Sequence, residues 1–357
     1  MNKRFLFFLI LFLKSTLASS ATYYVAKTGK DTNSGSSSLP FKTIPYGYSK
    51  LKAGDTLIVR AGIYSEYSSG RGLWLNKNGT ASARITVKSE VRGAAIIDML
   101  GKTDYRFNVY ITGDFNSVDG FRIRNNVNGG GVWNEGNYTY LLRNEIYQNG
   151  KLLIGGGVFS TSYSKGGKYD SNFIHHNGKD SRDHGLYLCG DNEVVTNNII
   201  TNHPGSAVQV AGYETVSNMK IYNNVFAYNK WTGIWLFKTL SGIYIRNNII
   251  YKNGYGIDSY SAHGSGVYFD KNLFYGNLYK NIRVTDGSVK NSSDYKYTMG
   301  TSFVLDPLFV DPSLANFRLK TGSPAINKGL SLSDVKSDYS GVLRPQGGAY
   351  DIGAFER

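Results

Sequence analysis

The stretch IYNNVFAYNKWTGIWLF (221–237) and the stretch YIRNNIIYKNGYGIDSY (244–260) are two copies of one pattern. Each carries an Asn pair, a short apolar run, a second Asn five places on, a Gly, and an alternating strand. Working outward, the pattern recurs in YLLRNEIYQNG (140–150), YDSNFIHHNG (169–178), VVTNNIITNHPG (194–205) and YFDKNLFYGNLYKN (268–281). The first Asn falls at Asn144, Asn172, Asn198, Asn224, Asn248 and Asn272, in steps of 28, 26, 26, 24 and 24 residues. A repeat in this range marks a solenoid.

Inside each repeat the period is that of β-structure. Runs such as VQV, IWLF and IYI are cut by Gly and Asn, and no long helical periodicity intervenes. Strands recurring every ~25 residues without a crossover helix stack as the coils of a parallel β-helix. The repeated Asn is read as structural. It tolerates the left-handed conformation at a corner, and stacked amides bond to one another. His175, His176 and His203 fall at the same corners and are read in the same way.

The ends differ from the repeats. Lys3 and Arg4, the apolar run Phe5 to Leu13, and the small-residue stretch Ser15 to Ala21 read as a signal peptide over 1–21. The run is shorter than the ~20 residues that span a bilayer. A secreted protein that does not enter the membrane is therefore expected. Without Lys3, Arg4 and Lys14 the charge is +11, against +14 for the whole chain. That balance points to an anionic partner, and export favours an acidic polysaccharide over nucleic acid. Cys189 is the only cysteine, so no internal disulfide forms and stability must come from packing. Sequons begin at Asn78, Asn137 and Asn291. A short capping helix is expected at about 41–52, a β-helix with its N-terminal cap over 22–300, and a loop-rich cap packed on it over 301–357.

The stretch holding Phe41-Lys42-Thr43-Ile44 and Ala53-Gly54-Asp55-Thr56 resembles the opening of bacterial pectin-lyase-like β-helix proteins. Asp306-Pro307-Leu308-Phe309, Gly322-Ser323-Pro324-Ala325-Ile326 and Asp351-Ile352-Gly353-Ala354-Phe355-Glu356 resemble their ending. The resemblance implies an all-β, single-stranded right-handed parallel β-helix. It also implies a polysaccharide lyase, alginate lyase-like, with alginate first among the acidic substrates. Asp183-His184-Gly185 is similar to the Asp-Pro-His-Gly site of mannuronan epimerases, without the Pro.

The strands that follow the Asn-Gly corners place a candidate site. With Val132, Val158, Leu186, Val208, Ile234 and Ile257 pointing inward, alternation turns Trp133, Phe159, Tyr187, Gln209, Trp235 and Asp258 outward. An exposed aromatic strip suits the apolar faces of sugar rings. Arg182, Asp183 and His184 lead into the Tyr187 strand. Lys230 and Lys238 flank the Trp235 strand, and Tyr260 lies beyond Asp258. The expectation is that Arg182, His184, Tyr187, Lys230, Trp235 and Lys238 cluster within a few coils.

That inventory suits β-elimination. A uronate carboxylate must be neutralised, by Arg182 or Lys230. The C5 proton must be taken, by Lys238 if neighbouring cations and burial lower its pKa. The leaving oxygen must be protonated, by His184 or Tyr187, which also serve as base in a Tyr/His variant. Asp183, Gln209, Trp235, Phe159, Trp133, Asp258 and Tyr260 complete the substrate-binding set. No dense Asp cluster of the calcium-holding kind is present; calcium has no clear site, and no cofactor is expected. The alternatives are an epimerase, a glycoside hydrolase, which needs two carboxylates about 5–9.5 Å apart, and a non-catalytic glycan-binding solenoid. A monomer is expected.

Overall fold

A computed structural model describes residues 20–65, 72–100, 102, 104, 106–150, 156–212, 215–259, 262–284 and 295–357. The 1–19 part of the expected signal peptide, Tyr260 and the sequon at Asn291 lie outside these residues.

Short strands separated by corners wind the chain through three long sheets in turn. One coil shows the path. Tyr140–Leu142 runs in the first sheet, Glu145–Tyr147 in the second and Val158–Ser160 in the third. Lys168–Asp170 then opens the next coil of the first sheet. Every pairing among these three sheets is parallel and joins coil to coil, which makes the molecule a β-solenoid.

Alternation sends the middle residue of each three-residue strand of the first and second sheets inward, and register stacks these residues in files. In the second sheet Ile123, Ile146, Ile174, Ile200, Phe226 and Ile250 pair in succession, and all are fully buried. The first sheet contributes Val118, Leu141, Tyr169, Val195, Ile221 and Ile245 in the same manner. Burying such a side chain contributes about 1.5–3 kcal/mol. Repetition lets the coils share one continuous core.

The repeated Asn residues form the expected ladder. Asn144 Nδ2 donates to Asn172 Oδ1 (3.2 Å), and the same bond links Asn172 to Asn198 (3.0 Å), Asn198 to Asn224 (3.0 Å), Asn224 to Asn248 (2.9 Å) and Asn248 to Asn272 (2.9 Å). The left-handed corner is not at these Asn residues but one place earlier. Arg143, Ser171, Asn197, Asn223, Asn247 and Lys271 have φ between 51 and 57°. The two properties assigned to one Asn are thus divided between neighbours. A second ladder runs through Asn149, Asn177, Asn229, Asn253 and Asn277, and His203 takes one rung. Its Nε2 accepts from Asn177 Nδ2 (3.2 Å), while Nδ1–H donates to Asn229 Oδ1 (3.0 Å). Burial pushes this imidazole down to about 3.

The helix spans Ile44–Lys50. Thr43 caps it by accepting from the Tyr46 N–H, and Pro45 occupies its first turn. Ile44 and Tyr48 bury against the first coils and close that end of the core. The last strand of the second sheet is Phe303–Val304. Residues from Phe309 onward pack along the outer flank of the second sheet. There Phe309, Phe317, Ile352, Ala354 and Phe355 cover Ile199, Val225, Ile249 and Leu273.

Candidate functional site

Outward positions of the third sheet stack as strictly as inward ones. Trp133, Phe159, Tyr187, Gln209, Trp235 and Asp258 pair one after another, in the register read from the sequence. Trp74 and Tyr110 extend the file at one end and Arg283 at the other. Trp133 stacks on Phe159 with centroids 4.6 Å apart and planes at 12°, and Tyr110 lies parallel to Trp133 at 6.0 Å. Phe159 meets the Tyr187 ring edge-on at 4.8 Å.

Beside this file lies a cleft of about 530 Å³. Trp133, Phe159 and Tyr187 line it together with Arg182, Asp183 and His184, six of the expected site residues. Arg106, Phe107 and Asn128 also line it and were not expected. Phe107 pairs with Gly130, where a Cβ would lie 2.5 Å from the Phe107 ring. Gly130 is therefore the one sign in the sequence of a large group overhead, while Gly131 makes room for Ile146 and the Gly157 backbone. Arg106 sits outside the alternating pattern and gave none.

His184 is almost wholly buried. Its Nδ1 accepts from the Ser206 N–H at 3.0 Å, so the neutral ring carries its proton on Nε2. Burial pushes the imidazole down to about 4. The ring stands edge-on to Tyr187 (5.7 Å) and to Trp235 (5.9 Å), and so joins two coils of the file. His184 is thus held as a neutral ring with its N–H on Nε2.

Other expected residues are placed differently. Asp183 is buried, and its carboxylate accepts from the N–H groups of Lys179 (2.7 Å) and Asp180 (3.1 Å), holding the loop together. Arg182 is exposed at the rim and pairs with Asp180 at 2.9 Å. Gln209 points outward but is only 5% exposed. Asp258 is buried beneath Arg283, which binds both carboxylate oxygens and lies 4.1 Å over the Tyr255 ring. Lys230 lines a separate depression with Lys179, His176 and Tyr228. Lys238 lies at a left-handed corner (φ 66°) and opens the next first-sheet strand, so it leaves the file at the end away from His184. Neither lysine lines the cleft, so the expected cluster of six does not form.

Among the described residues no group of three His, Cys, Asp or Glu could hold a metal ion. Asp180 is engaged by Arg182 and Asp183 by backbone donors, so these carboxylates do not form the oxygen cage a calcium ion takes.

The interior holds one polar cluster that the sequence reading passed over. Asn134 and Ser160 occupy inward positions beside Glu193. The Glu193 carboxyl accepts from Ser160 Oγ and from Tyr169 OH (3.1 Å), and burial raises it to about 7.

Three stacked sheets paired coil to coil give this chain the parallel β-helix fold that the solved pectate lyase Pel9A also has. Residues 23–192 match the family model described as Pel9A-like, right-handed beta helix region. Pectate lyase L of Dickeya chrysanthemi is 24% identical over 413 residues, covering 97% of this chain and 92% of that protein. The crystal structure of pectate lyase Pel9A superposes with a TM-score of 0.66 at 18% identity, covering 96% and 98% of the two chains. A rhamnogalacturonan lyase superposes with a TM-score of 0.51 at 14% identity over 91% and 99%. No helix among the described residues is long and apolar enough to cross a membrane.

Proposed function

We propose that this chain cleaves a uronate-containing polysaccharide by β-elimination in the cleft against the third sheet. The observation that carries the reading is the meeting of His184, Tyr187, Arg182 and Arg106 at one aromatic-floored cleft. The guanidinium groups neutralise the uronate carboxylate, which acidifies the C5 proton. Tyr187 exchanges protons with the sugar, and the His184 Nε2–H supports the developing negative charge as a fixed donor. The C5–H bond breaks, the C4=C5 double bond forms, and the C4 oxygen leaves with a proton.

Alginate, to which the family resemblance points, and pectate, named in the curated relatives, are the first polymers to test. The purified protein is incubated with each while the ultraviolet absorbance of new unsaturated ends is followed. Rising absorbance supports elimination. Altered uronate composition without it supports an epimerase, and glycan retention without either supports a binding module. Hydrolysis has little support, because Asp258 is paired with Arg283 and Asp183 is bonded to backbone. The basic n-region and apolar run support export. N-terminal sequencing of the mature protein, expected to begin near Thr22, tests that part.

A further inference from the structure

The apolar floor of the cleft is built from the rings of Phe107, Trp133 and Phe159, and these side chains offer a ligand no hydrogen-bond donor. The two Phe rings are hydrocarbon. The single donor of the third, the Trp133 indole N–H, is spent on Glu135 Oε1 at 2.8 Å. The Tyr110 hydroxyl turns to the same carboxylate oxygen, at 3.3 Å. A negative charge therefore stands at the edge of the floor. The cations of the lining, Arg106 and Arg182, are exposed side chains at the rim.

A uronate carboxylate laid on this floor would lose its water without gaining a partner. Leaving even a neutral polar group unpaired costs roughly 2–7 kcal/mol, and an ionised group costs more. Glu135 would add repulsion. An uncharged sugar ring meets neither cost. Its C–H groups pack against the apolar surface that Phe107 and the stacked Trp133 and Phe159 rings present to the cleft.

We propose that the cleft selects an uncharged sugar unit flanked by uronates. The polymer acted on is then one whose acidic residues are interrupted, rather than a run of free uronates. Flanking carboxylates reach Arg106 and Arg182 at the rim while the uncharged unit covers the floor. The uncharged unit is either a neutral sugar or a uronate masked as its methyl ester. The inference rests on the reading of this cleft as the acidic-glycan site.

Affinity electrophoresis of the whole protein compares three polymers of similar length: a free homopolyuronate, the same polymer partly methyl-esterified, and an alternating uronate–neutral polymer. At least one of the latter two should bind about tenfold tighter than the free polymer, and which one does so identifies the uncharged unit. Glu135→Gln should narrow the gap by improving retention on the free polymer. Trp133→Leu, checked by its unfolding curve, should abolish the preference. Equal or tighter binding of the free homopolyuronate by the wild-type protein overturns the proposal, as does an unchanged preference in Glu135→Gln and a folded Trp133→Leu together. Binding is read apart from product absorbance. A preference without elimination sinks the lyase reading alone, and elimination fastest on the free polymer with no preference sinks this inference alone.

Discussion

The Nδ1 atom of His184 accepts a hydrogen bond from the backbone N–H of Ser206, 22 residues on and one coil away. This contact fixes the ring and its tautomer together. With its pKa near 4, His184 stays neutral throughout the range where it would ordinarily titrate. Turnover should therefore show no step from His184 between about pH 5 and 7. His184→Ala should lower the elimination rate at least ~100-fold, the lower end for loss of one fixed donor to developing negative charge. A wild-type inflection near 6.5 that vanishes in His184→Ala would end this assignment.

Tyr187 and Lys238 compete for the proton-transfer role, and geometry separates them. Tyr187→Phe should cost about 100-fold or more in kcat, while Lys238→Ala should leave turnover within about threefold because it lies outside the cleft. Steady-state kinetics on the preferred polymer decides between them. A large loss in Lys238→Ala with wild-type stability would return the base to that lysine.

The Asn ladder makes a sharp stability prediction. Asn224 donates to Val195 O, Tyr222 O and Asn248 Oδ1, and its own Oδ1 accepts from the Asn198 N–H. Asn224→Ala strands several buried partners at about 1–3 kcal/mol each, and a total near 3 kcal/mol is expected by denaturant unfolding. The corner residue Ser171 (φ 57°) behaves in the opposite sense. Ser171→Gly should be neutral or stabilising by up to about 1 kcal/mol, since glycine adopts that conformation without strain.

Glu193 gives a pH dependence whose sign is set by burial. Its pKa rises from 4.5 to about 7, so the folded state holds a proton that the unfolded chain releases in that window. The stability is fully present below about 4.5 and is lost as pH rises through 7. The buried His203 and His184, with lowered values, contribute in the reverse sense, losing stability as pH falls from 6.5. Comparison with Glu193→Gln cancels the histidines. The wild-type Tm, relative to that of the variant, should fall steadily from pH 4.5 to 7.5, and a flat difference would refute the buried protonated carboxyl.

Much of this architecture is legible because a solenoid writes its register into the spacing of its repeats. Once Asn198 and Asn224 are aligned, Tyr187, Gln209 and Trp235 must share a file, and they do. Lys238 was misplaced because the strand ends before it. Its left-handed corner hands the side chain to another sheet, and the flanking residues show no period that announces this. Asp258 is not free for a substrate because Arg283, one coil further on, pairs with it from Ile282–Val284, one strand past the six whose outward residues alternation aligns. Burial of Gln209 likewise depends on what its neighbours cover, which alternation does not encode.

The segment from Phe309 to Phe355 lies over the outer flank of coils that precede it by about a hundred residues. Arg344 and Glu356, both fully buried, pair beneath it, and Asn223 and Asn247 bond to the backbone of Asp351 and Gly353. During synthesis the coils can close in order, each on the one before. The greasy side of the second sheet stays uncovered until the segment from Phe309 to Phe355 has been made. A chain stopped before that segment would keep its coils while displaying an adhesive flank.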